Sequence, residues 1–275
     1  VEVARELRVA SYSVDCAEEL AKLGAVPQGT EIAVRLALPV EGAAYHFGEK
    51  FGASPAEAVA LLRRVAELGY APAITFHPGT QCADPAAWAS YIEAAAMVSR
   101  DAGVSIGRLN VGGGFAAHRA GKAPDLEAIF DRIVRVTCAT FGATPPVLVC
   151  EPGRAMVADA VTLATRVKSR RGQGAIYLND GVYGGLAEAR DIGLGDRIRV
   201  LAPDGRARGG PPHPRTIFGP TCDSLDRLPD PVPLPGDLEE GDFVLFDGMG
   251  AYSMSLATRF NGYGPEETVT VATLR

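Results

Sequence analysis

Residues 54–77 read SPAEAVALLRRVAELGYAPAITFH, and this stretch decides the fold. Ser54 stands before Pro55, with Glu57 three residues on. That order supplies an N-cap, a residue preset for the first helical position and a capping-box partner. Ala58, Leu61, Leu62, Val65 and Leu68 then recur at a roughly 3.6-residue period, which predicts an amphipathic helix. Ala71–His77 is a short apolar run of strand type, and a similar run, Glu31–Leu38, precedes the helix. Strands with so little polar alternation suit a parallel sheet covered by helices on one face and by a barrel interior on the other.

Outward from this unit the rhythm repeats. Leu7–Val14 reads as a strand and Ala17–Leu23 as a helix. A helix runs from Asp84-Pro85 to about Asp101, then a strand over Arg108–Val111, a helix over Asp125–Phe141 and a strand over Pro146–Cys150. Beyond Pro152 the texture changes. Val157–Lys168, Ala175–Leu178, Asp196–Leu201, Thr216–Phe218 and Phe243–Phe246 read as strands without long helices between them. Pro and Gly cluster at 209–214 and 229–236, as in surface loops. The expectation is an α/β chain: a partial (β/α)8 barrel of about five of eight βα units over residues 1–156, then an antiparallel β-domain over 157–275.

The 275 residues are 47% hydrophobic, and 33 acidic against 27 basic side chains give a net charge of −6. No basic stripe is present, which argues against nucleic acid or an anionic membrane as partner. No apolar run reaches the ~18 residues of a membrane span. The start, Val1-Glu2-Val3-Ala4-Arg5, has neither the n-region nor the h-region of a secretory signal, and it lacks an initiator Met. The chain is therefore expected to begin partway through a longer gene product. Cys16, Cys82, Cys138, Cys150 and Cys222 are scattered without a CxxC pair. That points away from a disulfide framework or metal site and toward a reducing cytoplasm.

An α/β barrel exposes its chemistry where strands end at the carboxyl rim. Those ends carry His77-Pro78-Gly79-Thr80, Gly112-Gly113-Gly114 and Glu151-Pro152-Gly153-Arg154. Consecutive glycines let backbone N–H groups approach an anion, and Arg154 adds a two-pronged donor, so the rim reads as a phosphate cradle. Each motif alone also fits a tight turn or an ion pair. In the β-region, Gly219–Asp226 presents Cys222 and Asp223 in a loop, and Asp247–Tyr252 surrounds a tyrosine with small residues.

In family order, five motifs carry a resemblance. They are Phe76–Thr80, Asn110–Phe115, Glu151–Arg154, Gly219–Asp226, and Met249–Tyr252 followed by Phe260–Tyr263. The sequence resembles the fold-type III, pyridoxal-phosphate-dependent decarboxylases of ornithine, lysine, arginine or diaminopimelate, over essentially its whole length. The resemblance implies an enzyme that converts a basic amino acid, ornithine or lysine, into a polyamine-pathway diamine. It implies that His77 stacks on the cofactor ring and Glu151 faces the ring nitrogen. It places the phosphate on Thr80, Gly114, Gly153, Arg154 and Tyr252, with Gly112, Gly113 and Pro152 as further cofactor-binding positions. In this family Cys222 and Asp223 come from a partner subunit, the Cys protonating and the Asp holding the distal amine. Lys50, Asp226 and Phe260 match dimer positions, which implies a homodimer. Asn179–Gly184 resembles the family's stretch before its specificity segment, and Gly185–Glu188 is closer to the bacterial lysine/ornithine enzymes than to the eukaryotic ornithine enzymes, so Glu188 or Asp191, with Asp223, is expected to meet a terminal ammonium.

One departure matters. The family's cofactor-binding lysine sits at the end of the first barrel strand, in an Ala-Val-Lys-Ala-Asn-like sequence absent here. Lys22, Lys50, Lys122 and Lys168 are the four lysines, and none lies in that context. At roughly 30 residues per βα unit, about 100 residues precede these five units in the family barrel. Three readings stay open: part of a full decarboxylase, a short homologue completed by a separate lysine-bearing chain, or a non-catalytic homologue that binds or regulates a related enzyme. An unrelated barrel that binds a phosphorylated metabolite explains the glycines and Arg154, but not the Cys222-Asp223 loop. A barrel with open edges is expected to be unstable alone or to pair them in an oligomer.

Overall fold

The structure, a computed structural model, describes residues 1–24, 26–265 and 267–272. It divides into two compact units, one of residues 1–116 and 124–153, the other of 117–123 and 154–275.

The first unit opens with a short helix, α1 (Glu2–Glu6), then β1 (Ser11–Val14), α2 (Ala17–Lys22), β2 (Glu31–Leu36) and α3 (Pro55–Glu67). It continues with β3 (Ala71–Phe76), α4 (Pro85–Ala102), β4 (Arg108–Asn110), α5 (Leu126–Phe141) and β5 (Val147–Val149). The strands pair in parallel in the order β1-β2-β3-β4-β5. Neighbours in sequence are thus neighbours in space, the winding of a barrel rather than of a doubly wound sheet, whose strand order reverses. α3 begins with the capping box: Ser54 Oγ accepts from Glu57 N–H, and the Glu57 carboxylate accepts from Ser54 N–H. Its face of Ala58, Leu61, Leu62 and Val65 is buried, as are Ile32, Val34, Ile74, Phe76 and Leu109 in the strands.

The expected strand over Leu7–Val14 is corrected at its start. Leu7 caps α1, where Glu2 in the first turn and Arg5 in the last complement the helix dipole, and Arg8 turns the chain with φ +52°.

The second unit has α6 (Arg154–Val157), β6 (Thr162–Arg171), β7 (Ala175–Leu178), α7 (Ala189–Ile192) and β8 (Ile198–Leu201). β9 (Pro212–Phe218), β10 (Val232–Pro235) and β11 (Phe243–Asp247) complete a six-stranded sheet, ordered β10-β9-β7-β6-β11-β8. A turn of helix replaces the first residues of the expected Val157–Lys168 strand. The sheet is also not wholly antiparallel, because β7 and β9 run parallel. Between them the chain crosses to the opposite edge to form β8, and so long a connection lets it return in the same direction.

The Pro-rich stretches read as loops are in fact a strand pair. Pro214 faces Pro233 and Pro212 faces Pro235. Gly236 N–H donates to Pro211 C=O, so by alternation the residues that exchange hydrogen bonds are His213 with Leu234 and Arg215 with Val232. Every proline therefore sits where no inter-strand N–H is needed, and β10 is an edge strand. The core beneath this sheet gathers Val167, Ile176, Leu178, Ile217, Leu234, Val244 and Phe246. No helix among the described residues is long and apolar enough to cross a membrane.

Candidate functional site

The first unit brings together the ends of β3, β4 and β5. The contact requires glycine: a Cβ on Gly112 would fall 2.1 Å from the Phe76 carbonyl oxygen, and one on Gly114 2.0 Å from that of Gly79. Gly112 and Gly114 also hold φ of +68° and +84°, open to glycine at little cost. The triplet lies along the edge of the His77 ring, since a Cβ on Gly113 would stand 3.2 Å from its Nε2. Gly112 N–H donates to Asn110 Oδ1 at 2.9 Å. The N–H groups of Gly113 and Gly114 have no acceptor among the described residues, so two adjacent donors remain for an anion.

Glu151 follows β5. Its N–H donates to Gly112 C=O at 2.8 Å, and Asn110 Nδ2 donates to its Oε1 at 2.8 Å. Asn110 thus ties the glycine turn to the carboxylate. Its role shows only once β4 and β5 are side by side. His77 is half-buried, accepts from Gly79 N–H through Nδ1 at 3.1 Å, and meets the Phe47 ring edge-on at 4.8 Å between centroids. Burial, reinforced by the Arg35 charge and opposed by Glu151, lowers its pKa to about 4. The ring is therefore neutral at pH 7. Thr80 is buried and pairs through its backbone with Ala44 and Tyr45. Pro152 is half-buried and Gly153 exposed.

In the second unit Arg154, only 7% exposed, is held two-pronged by the Glu188 carboxylate. The Tyr252 ring lies 4.8 Å from its guanidinium carbon, and Arg119 approaches Glu188 at 4.0 Å. Tyr252 adopts φ +57°, and Gly250, where a Cβ would meet the Val157 carbonyl oxygen at 1.7 Å, sets the turn against α6. The Glu188 carboxylate, expected to meet a terminal ammonium, is paired with Arg154 in this structure. Asp191 is exposed.

A second cluster of this unit surrounds the Cys222-Asp223 loop. Tyr183 Oη donates to Asp223, a bond that lowers the Asp223 pKa below the usual carboxylate range. The Tyr183 and Phe260 rings are 4.9 Å apart, and Cys222 N–H donates to Asn261 Oδ1 at 3.2 Å. The Cys222 thiol is exposed. Asp226, expected at a dimer contact, is 1% exposed and accepts from Val182 N–H and Thr221 N–H at 3.0 Å each. It ties two loops of its own unit together. Lys50 is exposed, its ammonium 5.2 Å from the centre of the Phe51 ring. Tyr183, Arg119 and Asn261 are partners that the sequence did not single out.

A neutral imidazole beside two free N–H groups and an anchored carboxylate is the donor set of a site for a flat, anionic heteroaromatic. It fits pyridoxal phosphate. Comparison with known proteins defines the class. Residues 1–158 match the family described as pyridoxal-dependent decarboxylase, pyridoxal binding domain. The chain belongs to the pyridoxal-dependent decarboxylase family.

A decarboxylase of Aspergillus flavus is 33% identical over 96% of this chain and 64% of its own length. The lysine/ornithine decarboxylase of Selenomonas ruminantium is 32% identical over 96% of this chain and 67% of its own. The crystal structure of the Paramecium bursaria Chlorella virus arginine decarboxylase superposes with a TM-score of 0.81 at 27% identity, covering 95% of this chain and 71% of that one. The chain spans 59–67% of the length of the curated relatives it matches.

Proposed function

We propose that this chain supplies the pyridoxal-phosphate site of a decarboxylase acting on a basic amino acid, ornithine or lysine, completed by a segment that carries the cofactor-binding lysine. The observation that carries this reading is the junction of His77, Gly112–Gly114 and Glu151 at three adjacent strand ends, all inside the matched family region. Relatives named as lysine/ornithine and arginine decarboxylases support the substrate class.

Pyridoxal phosphate, when bound, supplies an electron sink for the pair released as the carboxyl group leaves as CO2. Glu151 holds a proton on the ring nitrogen, where a fixed negative charge favours the charged ring. His77, being neutral, stacks without adding a like charge. Thr80, Gly113, Gly114, Gly153, Arg154 and Tyr252 hold the phosphate. Asp223, kept ionised by Tyr183, receives the distal ammonium of the substrate, with exposed Asp191 as a second carboxylate. Cys222 delivers the proton that replaces CO2. Both Cys222 and Asp223 act across a two-fold dimer, near Lys50 and Phe260. The setting is the cytoplasm.

One observation favours a second reading, a non-catalytic homologue that binds a related decarboxylase: all four lysines are exposed. The test is to purify the native polypeptide, measure its intact mass and assay CO2 release from L-ornithine, L-lysine and L-arginine with pyridoxal phosphate present. Release from ornithine or lysine is expected. Bound cofactor with no release from any substrate selects the homologue reading, and no cofactor binding overturns the proposed cofactor site.

A further inference from the structure

Arg154 is the arginine to which the proposed function gives the cofactor phosphate, yet both prongs of its fork face Glu188. Glu188 itself is shared. Arg119, 18% exposed and with its pKa lowered by burial, stands 4.0 Å from the same carboxylate. Arg119 is fixed from behind. Its carbonyl accepts from Asp196 N–H at 3.0 Å, its guanidinium donates to Gly193 C=O, and a Cβ on Gly195 would fall 1.8 Å from its carbonyl oxygen. Tyr252 covers one face of Arg154. Two guanidinium groups around one carboxylate leave this buried cluster with a formal charge of +1, which an anion would complement. Like-charged side chains held this close need a shared counter-ion when no anion is present.

We propose that Glu188 and Arg119 form an anion exchanger for Arg154: when a phosphate ester enters, the Glu188 carboxylate passes from Arg154 to Arg119 and frees the two-pronged donor. No covalent bond changes. The exchange swaps one ionic partner for another, and Arg119 is the place that receives the displaced carboxylate. Glu188 and Arg119 are then positioning residues that set phosphate affinity without belonging to the phosphate's own contacts. The inference rests on the reading that Arg154 holds the cofactor phosphate.

The test uses the full 275-residue chain and calorimetric titration with inorganic phosphate, pyridoxal phosphate and pyridoxal. Glu188→Gln removes the competing anion and is expected to tighten both phosphate-bearing probes by about tenfold or more, with pyridoxal unchanged. Arg119→Gln removes the receiving cation and is expected to weaken the same two probes by about tenfold, again sparing pyridoxal. A merely structural role moves both variants in the same direction, because either change would loosen the cluster. If Glu188→Gln proves too unstable, Arg119→Gln still decides, since unchanged phosphate affinity there overturns the exchange. Wild-type binding of pyridoxal phosphate with Glu188→Gln equal or weaker refutes the exchange and leaves the proposed function standing. Failure of the wild type and both variants to bind pyridoxal phosphate refutes the proposed function itself.

Discussion

Replacing His77 by Phe tests whether a neutral imidazole is built into the site. Burial lowers the folded-state pKa of His77 from its ordinary 6.5 to about 4. The unfolded chain takes up this proton near 6.5, while the folded chain declines it until about 4. In that window the unfolded state binds more protons, so the His77 contribution makes stability rise with pH. Acidification from 6.5 to 4 removes that stability, and below 4 the loss is complete. At ~1.36 kcal/mol per pK unit the full loss is ~3 kcal/mol. The ring is only half-buried, and solvent screening reduces this to about 2 kcal/mol. Other groups titrate in the same range, so the quantity to read is the wild-type stability minus that of His77→Phe, from urea denaturation between pH 4 and pH 7. That difference should fall by about 2 kcal/mol on acidification. A difference that stays flat across the range would refute the buried, neutral His77.

Further outcomes follow from the same geometry. Gly114→Ala should cost at least ~3 kcal/mol in denaturant unfolding, because its Cβ meets the Gly79 carbonyl oxygen at a positive φ. Gly121→Ala, also at positive φ but with nothing within 4 Å, should cost only about 1 kcal/mol. Asp226→Ala strands the Val182 and Thr221 N–H groups and should lose about 3 kcal/mol, with Asp226→Asn recovering part of it. Borohydride treatment of the chain with pyridoxal phosphate should leave no stoichiometric adduct on Lys22, Lys50, Lys122 or Lys168 by peptide mass mapping. One fully labelled lysine would contradict that outcome.

The βα winding was legible because local and global signals agree. Ser54, Pro55 and Glu57 signal a helix start, and in the structure Ser54 and Glu57 close the capping box with Pro55 in the first turn. The second unit was harder to read. Prolines at 212, 214, 233 and 235 look like loop breakers until their alternation is set against a partner strand, and pairing is a non-local fact. The parallel β7–β9 pair was hidden for the same reason.

The site divides similarly. Glycines 112–114 and Glu151 could be found because strand ends and small residues mark themselves in a sequence. The partners of the charged residues could not. Arg154 meets Glu188 across 34 positions and Tyr183 meets Asp223 across 40, and nothing local says which carboxylate an arginine or a phenol will choose. Hence the pairing of Glu188 with Arg154 and the closing of two loops by Asp226 show only in the folded chain.

The decisive measurement is where a vitamin B6 phosphate settles on this chain. A crystal structure with pyridoxal phosphate soaked in should show the ring against His77, its nitrogen facing Glu151, and the phosphate on the Gly113 and Gly114 N–H groups. Cofactor seated elsewhere, with those three groups untouched, would contradict the proposed site.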